Sequence, residues 1–170
     1  KTDLPVSVEN DANLATLGEY IFFEGEMEEN MLLITLGTGV GGGLILNGNL
    51  VTSDVAAFEA GHITLNFEGE KCSCGSHDLK VLKAGDVYKL YKAGDKIAEL
   101  AFEKYANNLA HGFASMANIF APVKIKIGGG LSEMADAYLH TAVKVFSRNF
   151  VMIIDLSIVS ILEFKLTFRS

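Results

Sequence analysis

Residues 31–51 read Met-Leu-Leu-Ile-Thr-Leu-Gly-Thr-Gly-Val-Gly-Gly-Gly-Leu-Ile-Leu-Asn-Gly-Asn-Leu-Val. The first six have the length and apolar character of a buried strand. Glycine then fills five of the seven positions 37–43, and a second apolar run follows. Asn47-Gly48, between that run and Leu50-Val51, is the strongest short signal for a β-hairpin. Gly37 to Gly42 satisfies G-x-G-x-x-G, but a dinucleotide fingerprint also requires a helix to open at the loop. Here another strand follows, and the chain carries no GK[ST] of a P-loop. The stretch predicts strand, glycine-rich turn, strand and hairpin. Two readings of the turn stay open. It is a plain tight turn, or a cradle in which backbone N–H groups and the Thr38 hydroxyl receive phosphate.

Upstream, residues 5–8 alternate and predict a short strand, and a helical pattern runs from Asp11 to about Phe23. Glu9-Asn10-Asp11 joins the two. A carboxylate in a first helical turn gains from the helix dipole, so Asp11 reads as an N-cap. Alternatively it is a general base, with Asn10 orienting a substrate hydroxyl. Downstream, residues 62–66 predict a strand, and residues 67–78 have no period. Asp95 is a good N-cap. Ala98, Phe102, Tyr105, Leu109, Phe113, Met116 and Phe120 then recur at helical spacing, predicting one long amphipathic helix that ends before Pro122. Val123, Ile125 and Ile127 predict a strand running into Gly128-Gly-Gly130. That is either a helix-entry turn or a place where a ligand meets the backbone at a strand's carboxyl end. A helix over residues 132–148 and one or two strands over residues 151–168 complete the pattern. Hairpin-paired strands mixed with helix-joined strands make the chain α/β.

The composition is that of a globular protein: 170 residues, 49% hydrophobic and 21% charged, which excludes disordered and collagen-like classes. The length fits one domain. Residues 1–70 hold 12 of the 21 acidic residues and one of the 14 basic ones, a net of −11; the remainder nets +4. The bases form no cluster that could follow a phosphate backbone, which argues against a nucleic-acid partner. The most apolar tract, residues 150–164, contains Asp155 and Glu163 and is too short to span a bilayer. Residue 1 is Lys, and no secretory signal pattern follows it. The two cysteines, Cys72 and Cys74, are too close for an unstrained bridge and too few for a secreted framework. The chain thus reads as cytoplasmic, with its thiols available as ligands. His62, Cys72 and Cys74 form a three-ligand zinc set that His77 or Asp78 could complete; a core histidine with two inert thiols is the alternative. His111 and His140 fall within helical patterns and read as surface or packing residues.

Taken in order, five motifs resemble the ROK family of bacterial sugar kinases and sugar-responsive repressors. They are Pro-Val-x-Val-Glu-Asn-Asp-Ala-Asn (residues 5–13), Leu-Gly-Thr-Gly-Val-Gly-Gly-Gly (36–43), Glu-Ala-Gly-His (59–62), Cys-Ser-Cys-Gly (72–75) and Ile-Gly-Gly-Gly-Leu-Ser (127–132). The resemblance implies an actin-like ATPase (ribonuclease H-like) lobe with a mixed sheet flanked by helices. It implies ATP-dependent phosphorylation of a hexose or hexose derivative, with Mg2+, a structural Zn2+ and a homodimer, and no membrane partner. By matching positions, Asp11 is the expected base, and Asn10, Glu59 and His62 the expected sugar ligands. Gly37, Thr38 and Gly39 are the expected phosphate turn, and Gly129 and Gly130 the expected nucleotide turn. His62, Cys72 and Cys74 are the expected zinc ligands, with His77 standing in for a missing one.

Three departures accompany the resemblance. The family's N-terminal lobe, with its Asp-x-Gly-Gly-Thr loop, has no counterpart here, so residues 1–170 are expected to form a single large lobe that is inactive alone. After Gly75 the family's Gly-x-x-Gly-Cys-Leu-Glu is replaced by Ser-His-Asp-Leu-Lys, as if by a short deletion around His77-Asp78. The stretch from residue 150 onward lacks the family's small-residue closing helix. The sensor lobe of a ROK-type repressor and a degenerate, non-catalytic lobe are the alternative functions.

Overall fold

The computed structural model describes residues 4–5, 8–22, 29–53, 57–63, 84–149 and 159–161. In chain order these form α1 (Asp11–Phe22), β1 (Met31–Leu36), β2 (Val40–Leu46), β3 (Asn49–Leu50), α2 (Ala84–Lys92), α3 (Lys96–Phe120), β4 (Lys124–Gly128), α4 (Leu139–Asn149) and β5 (Val159–Ile161). Two 3-10 segments, Ala60–His62 and Gly130–Ala137, complete the set. The strands make one sheet in the order β3-β2-β1-β4-β5. β2 runs antiparallel to β1 and β3, while β4 runs parallel to β1 and β5. This is the expected mixed sheet. The antiparallel pairs close through short turns, and the parallel β1–β4 pair needs a long helical crossover, which α2 and α3 lie within.

The β1 and β2 predictions hold for the reasons they were made. Asn47 and Gly48 both take positive φ (49° and 74°), as a two-residue hairpin turn requires. Asp95 caps α3, its Oδ1 accepting the Ile97 and Ala98 N–H groups at 2.9 Å. Ala121, in the left-handed region (φ 44°), ends that helix just before Pro122.

The two faces of the sheet are built differently. On one, Leu32, Ile34, Leu36, Leu44, Ile125 and Ile127 pack against Phe102, Leu109, Phe113 and Met116 of α3 and Phe146 of α4. On the other lies α1. The register aligns Gly43, Leu33 and Lys126 in a row across β2, β1 and β4. Thr16 of α1 sits directly over Gly43, where an added Cβ would fall 2.1 Å from its Oγ1. At the end of the row, Lys126 is 2% exposed and its ammonium donates to Glu19 of α1. A buried ammonium of this kind is tolerated only with a partner, since desolvating it costs several kcal/mol.

Three local expectations are revised, and one helix is new. Of the strand expected over residues 5–8, Pro5 and Val8 are described and lie in no strand, Val8 being 92% exposed, while residues 6–7 lie outside the described residues. Of the strand expected over residues 62–66, His62 lies in a 3-10 turn, its N–H satisfied by the Glu59 carbonyl three residues back at 3.0 Å, and residues 64–66 lie outside the described residues. The single helix predicted over residues 132–148 is split into a 3-10 segment and α4. It breaks at Met134 and at Tyr138, which is 1% exposed and donates its hydroxyl to the Leu131 carbonyl at 3.2 Å. Burial pushes that phenol up to about 12. Helix α2 was not anticipated; Tyr91 carries it onto Phe102 of α3, and Tyr88 and Lys92 bind Asp136 at 2.7 and 3.0 Å. His111 and His140 are exposed on their helices, as read. Among the described residues no helix is long and apolar enough to cross a membrane.

The contact between α1 and β2 predicts a specific coupling. Gly43→Ala should lower unfolding stability by about 1–3 kcal/mol, the usual cost of overpacking. In a Thr16→Gly background the same change should cost less than about 1 kcal/mol, read as a double-mutant cycle by chemical denaturation. Equal costs in both backgrounds would put the strain elsewhere.

Candidate active site

The carboxyl ends of β1 and β4 lie side by side, with Thr35 opposite Gly128. The β1–β2 turn, residues 37–39, projects from this edge. The Gly37 N–H bonds the Gly39 carbonyl at 2.9 Å, leaving Thr38 at the tip. The five glycines divide by role. Gly41, Gly42 and Gly43 are packing devices, since an added Cβ would meet Thr35 Oγ1 at 2.7 Å, Phe58 at 2.8 Å and Thr16 at 2.1 Å respectively. Gly37 and Gly39 would meet nothing within 4 Å among the described residues, and neither has positive φ. Their small size serves neither the backbone nor the core, so the space beside them is open to an incoming group. One donor of the expected cradle, the Gly37 N–H, is already used inside the turn.

Gly129 stands against the other side of the same edge. Its φ is +87°, and a Cβ there would fall 2.4 Å from the Leu36 carbonyl oxygen and 2.8 Å from the Leu36 nitrogen. The two glycine turns therefore meet backbone to backbone. Ser132 fixes the second turn, its Oγ and N–H both donating to the Gly129 carbonyl at 2.6 and 3.0 Å. Gly130, like Gly37 and Gly39, has nothing within 4 Å of an added Cβ among the described residues.

Helix α1 brings the third component to this edge. It runs along β2 with Ala12 beside Gly41 and Tyr20 beside Gly48, so its N-terminus lies at the glycine-turn end. Asn10, not Asp11, is the N-cap. Its Oδ1 accepts the Ala12 and Asn13 N–H groups at 2.9 and 3.3 Å, and its carbonyl accepts the Leu14 N–H at 3.0 Å. Asp11 occupies the first helical position, exposed, with Oδ1 held by the Ala12 N–H at 2.8 Å. One carboxylate oxygen is thus oriented by the helix, and the other accepts no hydrogen bond among the described residues.

The fourth component is the 3-10 turn bearing Glu59 and His62. Gly61 rests on the first residue of β2, where a Cβ would meet the Val40 carbonyl at 2.0 Å. Phe58, in the left-handed region (φ 58°), holds the turn by packing edge-on to Phe120 at 5.5 Å. Glu59 Oε2 and His62 Nε2 are 3.9 Å apart, and both side chains are about half exposed (53% and 56%). Asn10, Asp11, Gly37, Thr38, Gly39, Glu59, His62, Gly129 and Gly130 are therefore carried by elements that end at one edge of the sheet. Cys72, Cys74 and His77 lie outside the described residues. Among the described residues no three His, Cys, Asp or Glu side chains gather as a metal site.

The sequence reading missed one group here. Glu9 Oε1 accepts both the Asn10 N–H at 2.9 Å and the Asn13 side-chain amide at 3.0 Å. These two bonds, the Asn13 amide foremost, hold the Glu9 carboxyl below its ordinary value of 4.5. The spacing of Glu9 and Asn13, four residues apart, was the available signal. That Asn13 is buried was not legible.

A family model described as the ROK family matches residues 1–78 and 77–160. Its two segments meet at residues 77–78, where the cysteine loop departs from the family pattern. The chain is 38% identical over 174 residues to a glucokinase of Halalkalibacterium halodurans, covering 82% of this chain and 53% of that one. Thus it spans about half the length of that relative. Among solved structures, the ROK hexokinase from Thermus thermophilus superposes with a TM-score of 0.78 at 30% identity, over 85% of this chain and 57% of that one. A ROK family glucokinase from Streptomyces griseus, in complex with glucose and AMPPNP, gives a TM-score of 0.74 at 28% identity, over 88% and 60%.

The Glu9 contacts set a pH window. A carboxyl whose folded value is depressed contributes stability above its unfolded value of 4.5, and that contribution is lost as pH falls through the folded value. In an NMR titration Glu9 should titrate below 4.5, its midpoint shared by the Asn13 side-chain amide signals. An ordinary glutamate midpoint would mean that the contacts do not persist in solution.

Proposed function

The chain belongs to the ROK family, and on that premise we propose that this edge of the sheet phosphorylates a hydroxyl of a hexose or hexose derivative at the expense of ATP. The observation that carries the proposal is the meeting of the Asp11 helix start with two backbone-to-backbone glycine turns at one edge. Phosphoryl transfer needs chiefly positioning and charge stabilisation, so an oriented carboxylate and backbone donors form a fitting set. The Asp11 oxygen not held by Ala12 takes the hydroxyl proton. The sugar oxygen then bonds to the γ-phosphorus while the bond to the bridging oxygen breaks and ADP departs. The open faces of Thr38, Gly39 and Gly130 receive phosphate. Backbone donors suit this region because residues 1–70 contain a single basic side chain. The Asn10 amide, Glu59 and His62 receive sugar hydroxyls; Asn10 Oδ1 is occupied in capping, so its Nδ2 is the atom offered.

Mg2+, bound with the nucleotide, would neutralise charge on the transferring phosphate. Such an ion needs only one or two protein carboxylates beside the phosphates, and the exposed carboxylates at this edge fit that need. Zinc is proposed for His62, Cys72, Cys74 and His77. Imidazole and thiolate donors suit that ion, and the half-exposed His62 side chain is accessible to it. The chain covers 53% of the glucokinase it was compared with, so the activity of the whole protein is part of this proposal.

Asp11→Asn in the full-length protein should lower kcat by about 10²- to 10⁴-fold, the usual contribution of a general base, with sugar affinity nearly unchanged. Undiminished turnover would remove Asp11 from the role. A wild-type protein that binds sugar without phosphorylating it would instead support the sugar-sensing reading. Elemental analysis should find about one zinc per chain, lost together with thermal stability on replacement of Cys72. A zinc-free protein of full stability would exclude the site.

A further inference from the structure

Asn13 presents a difficulty that the reaction does not explain. It is 6% exposed, on the buried side of α1, and its Oδ1 has no hydrogen-bond partner among the described residues. A buried carbonyl left unpaired is destabilising, and an apolar side chain of the same volume would avoid the cost. What Asn13 does contribute is one donor. Its Nδ2 reaches out to Glu9 Oε1 at 3.0 Å, and the same oxygen takes the Asn10 N–H at 2.9 Å.

This is not ordinary helix capping. The Ala12 and Asn13 N–H groups of the first turn are already taken by Asn10 Oδ1 and Asp11 Oδ1. In a usual capping box the third helical residue bonds the N-cap N–H directly with a long acidic side chain. Here that third residue is Asn13, and Glu9 supplies the carboxylate between the two. Glu9 is itself exposed, so its bonds bury nothing. Their effect is geometric: they tie the exposed Asn10-Asp11 backbone to a side chain anchored in the interior.

We propose that Glu9, braced by Asn13, is a positioning residue that holds Asn10 and Asp11 in reacting geometry, at some expense of stability. The proposal rests on Asp11 acting as the base of a sugar kinase. A destabilising polar group kept at a functional site is the pattern expected when activity rather than stability dictates the residue. The pair sets the direction in which the helix start enters the site, and small misplacements of a reacting group lower rates steeply.

The test compares variants of the full-length protein by steady-state hexose phosphorylation and thermal unfolding. Glu9→Ala should lower kcat about ten- to a hundredfold, with the KM for sugar changed less than about twofold. Glu9→Gln keeps an acceptor oxygen in the same place and should recover most of kcat. Asn13→Leu keeps the branched shape and the number of heavy atoms and removes the unpaired carbonyl. It should match the kcat loss of Glu9→Ala while Tm holds or rises. A fall in Tm with unchanged turnover per folded molecule, in Glu9→Ala or Asn13→Leu, would overturn the proposal. So would a Glu9→Gln variant as impaired as Glu9→Ala. Asp11→Asn is the control that separates the two readings. If it is inactive while Glu9→Ala is normal, the brace alone fails; if it is fully active, or the wild type phosphorylates no hexose, the kinase reading fails and takes the brace with it.

Discussion

The close approach of α1 to β2 is the constraint on which the rest of the site depends. A helix packed on a sheet normally stands off by the thickness of its side chains. Here Gly41 and Gly43 remove the strand's side chains on that face, so Ala12 and Thr16 lie almost on the β2 backbone. The direction of α1 along β2 then places its N-terminus at the end where β1 turns into β2. This geometry brings the Asp11 end of the helix to the glycine-turn end of the sheet. The Glu19–Lys126 pair holds the same helix from farther along, reaching two strands across the sheet.

Glycine serves two unrelated purposes within seven residues. At positions 41–43 the absence of a side chain lets α1, Phe58 and Ala60 come close. At 37 and 39 it leaves a surface bare. Gly129 combines a left-handed backbone with a backbone-to-backbone contact at Leu36, joining the second turn to the first. A group meeting the two glycine turns finds peptide groups rather than basic side chains, consistent with the single basic residue in positions 1–70.

The buried polar groups tell a parallel story. Lys126 and Asn13 both sit where an apolar residue would pack more cheaply, and both face α1 or lie on it. One ties the helix to β4, whose end carries the Gly128–Gly130 turn. The other ties the helix start to Glu9. The apolar core between the sheet and α3–α4 contains no such compromise beyond the Tyr105 hydroxyl, which is buried without a partner among the described residues.

Much of this was legible in the order of residues. The β1 run, the Asn47-Gly48 hairpin, the Asp95 cap, the α3 period and the Gly128–Gly130 turn each follow from local chemistry acting over a few residues. The ordered motifs also pointed to the family. The sequence could not say which glycines pack and which stay open, because that depends on what lies across the space. Nor could it reveal α2, whose apolar stripe is short, or the break at Tyr138, which a tertiary contact imposes. The alternation Ile125-Lys126-Ile127 announced a strand with two faces, but not that α1 covers the second and forces the lysine to find Glu19. Local propensity and periodicity were enough to specify the elements. The meeting of Asp11, Gly37, Gly129, Glu59 and His62 at one edge was decided only by tertiary structure, because residues so far apart in sequence converge through sheet register and the close seat of one helix on two glycines.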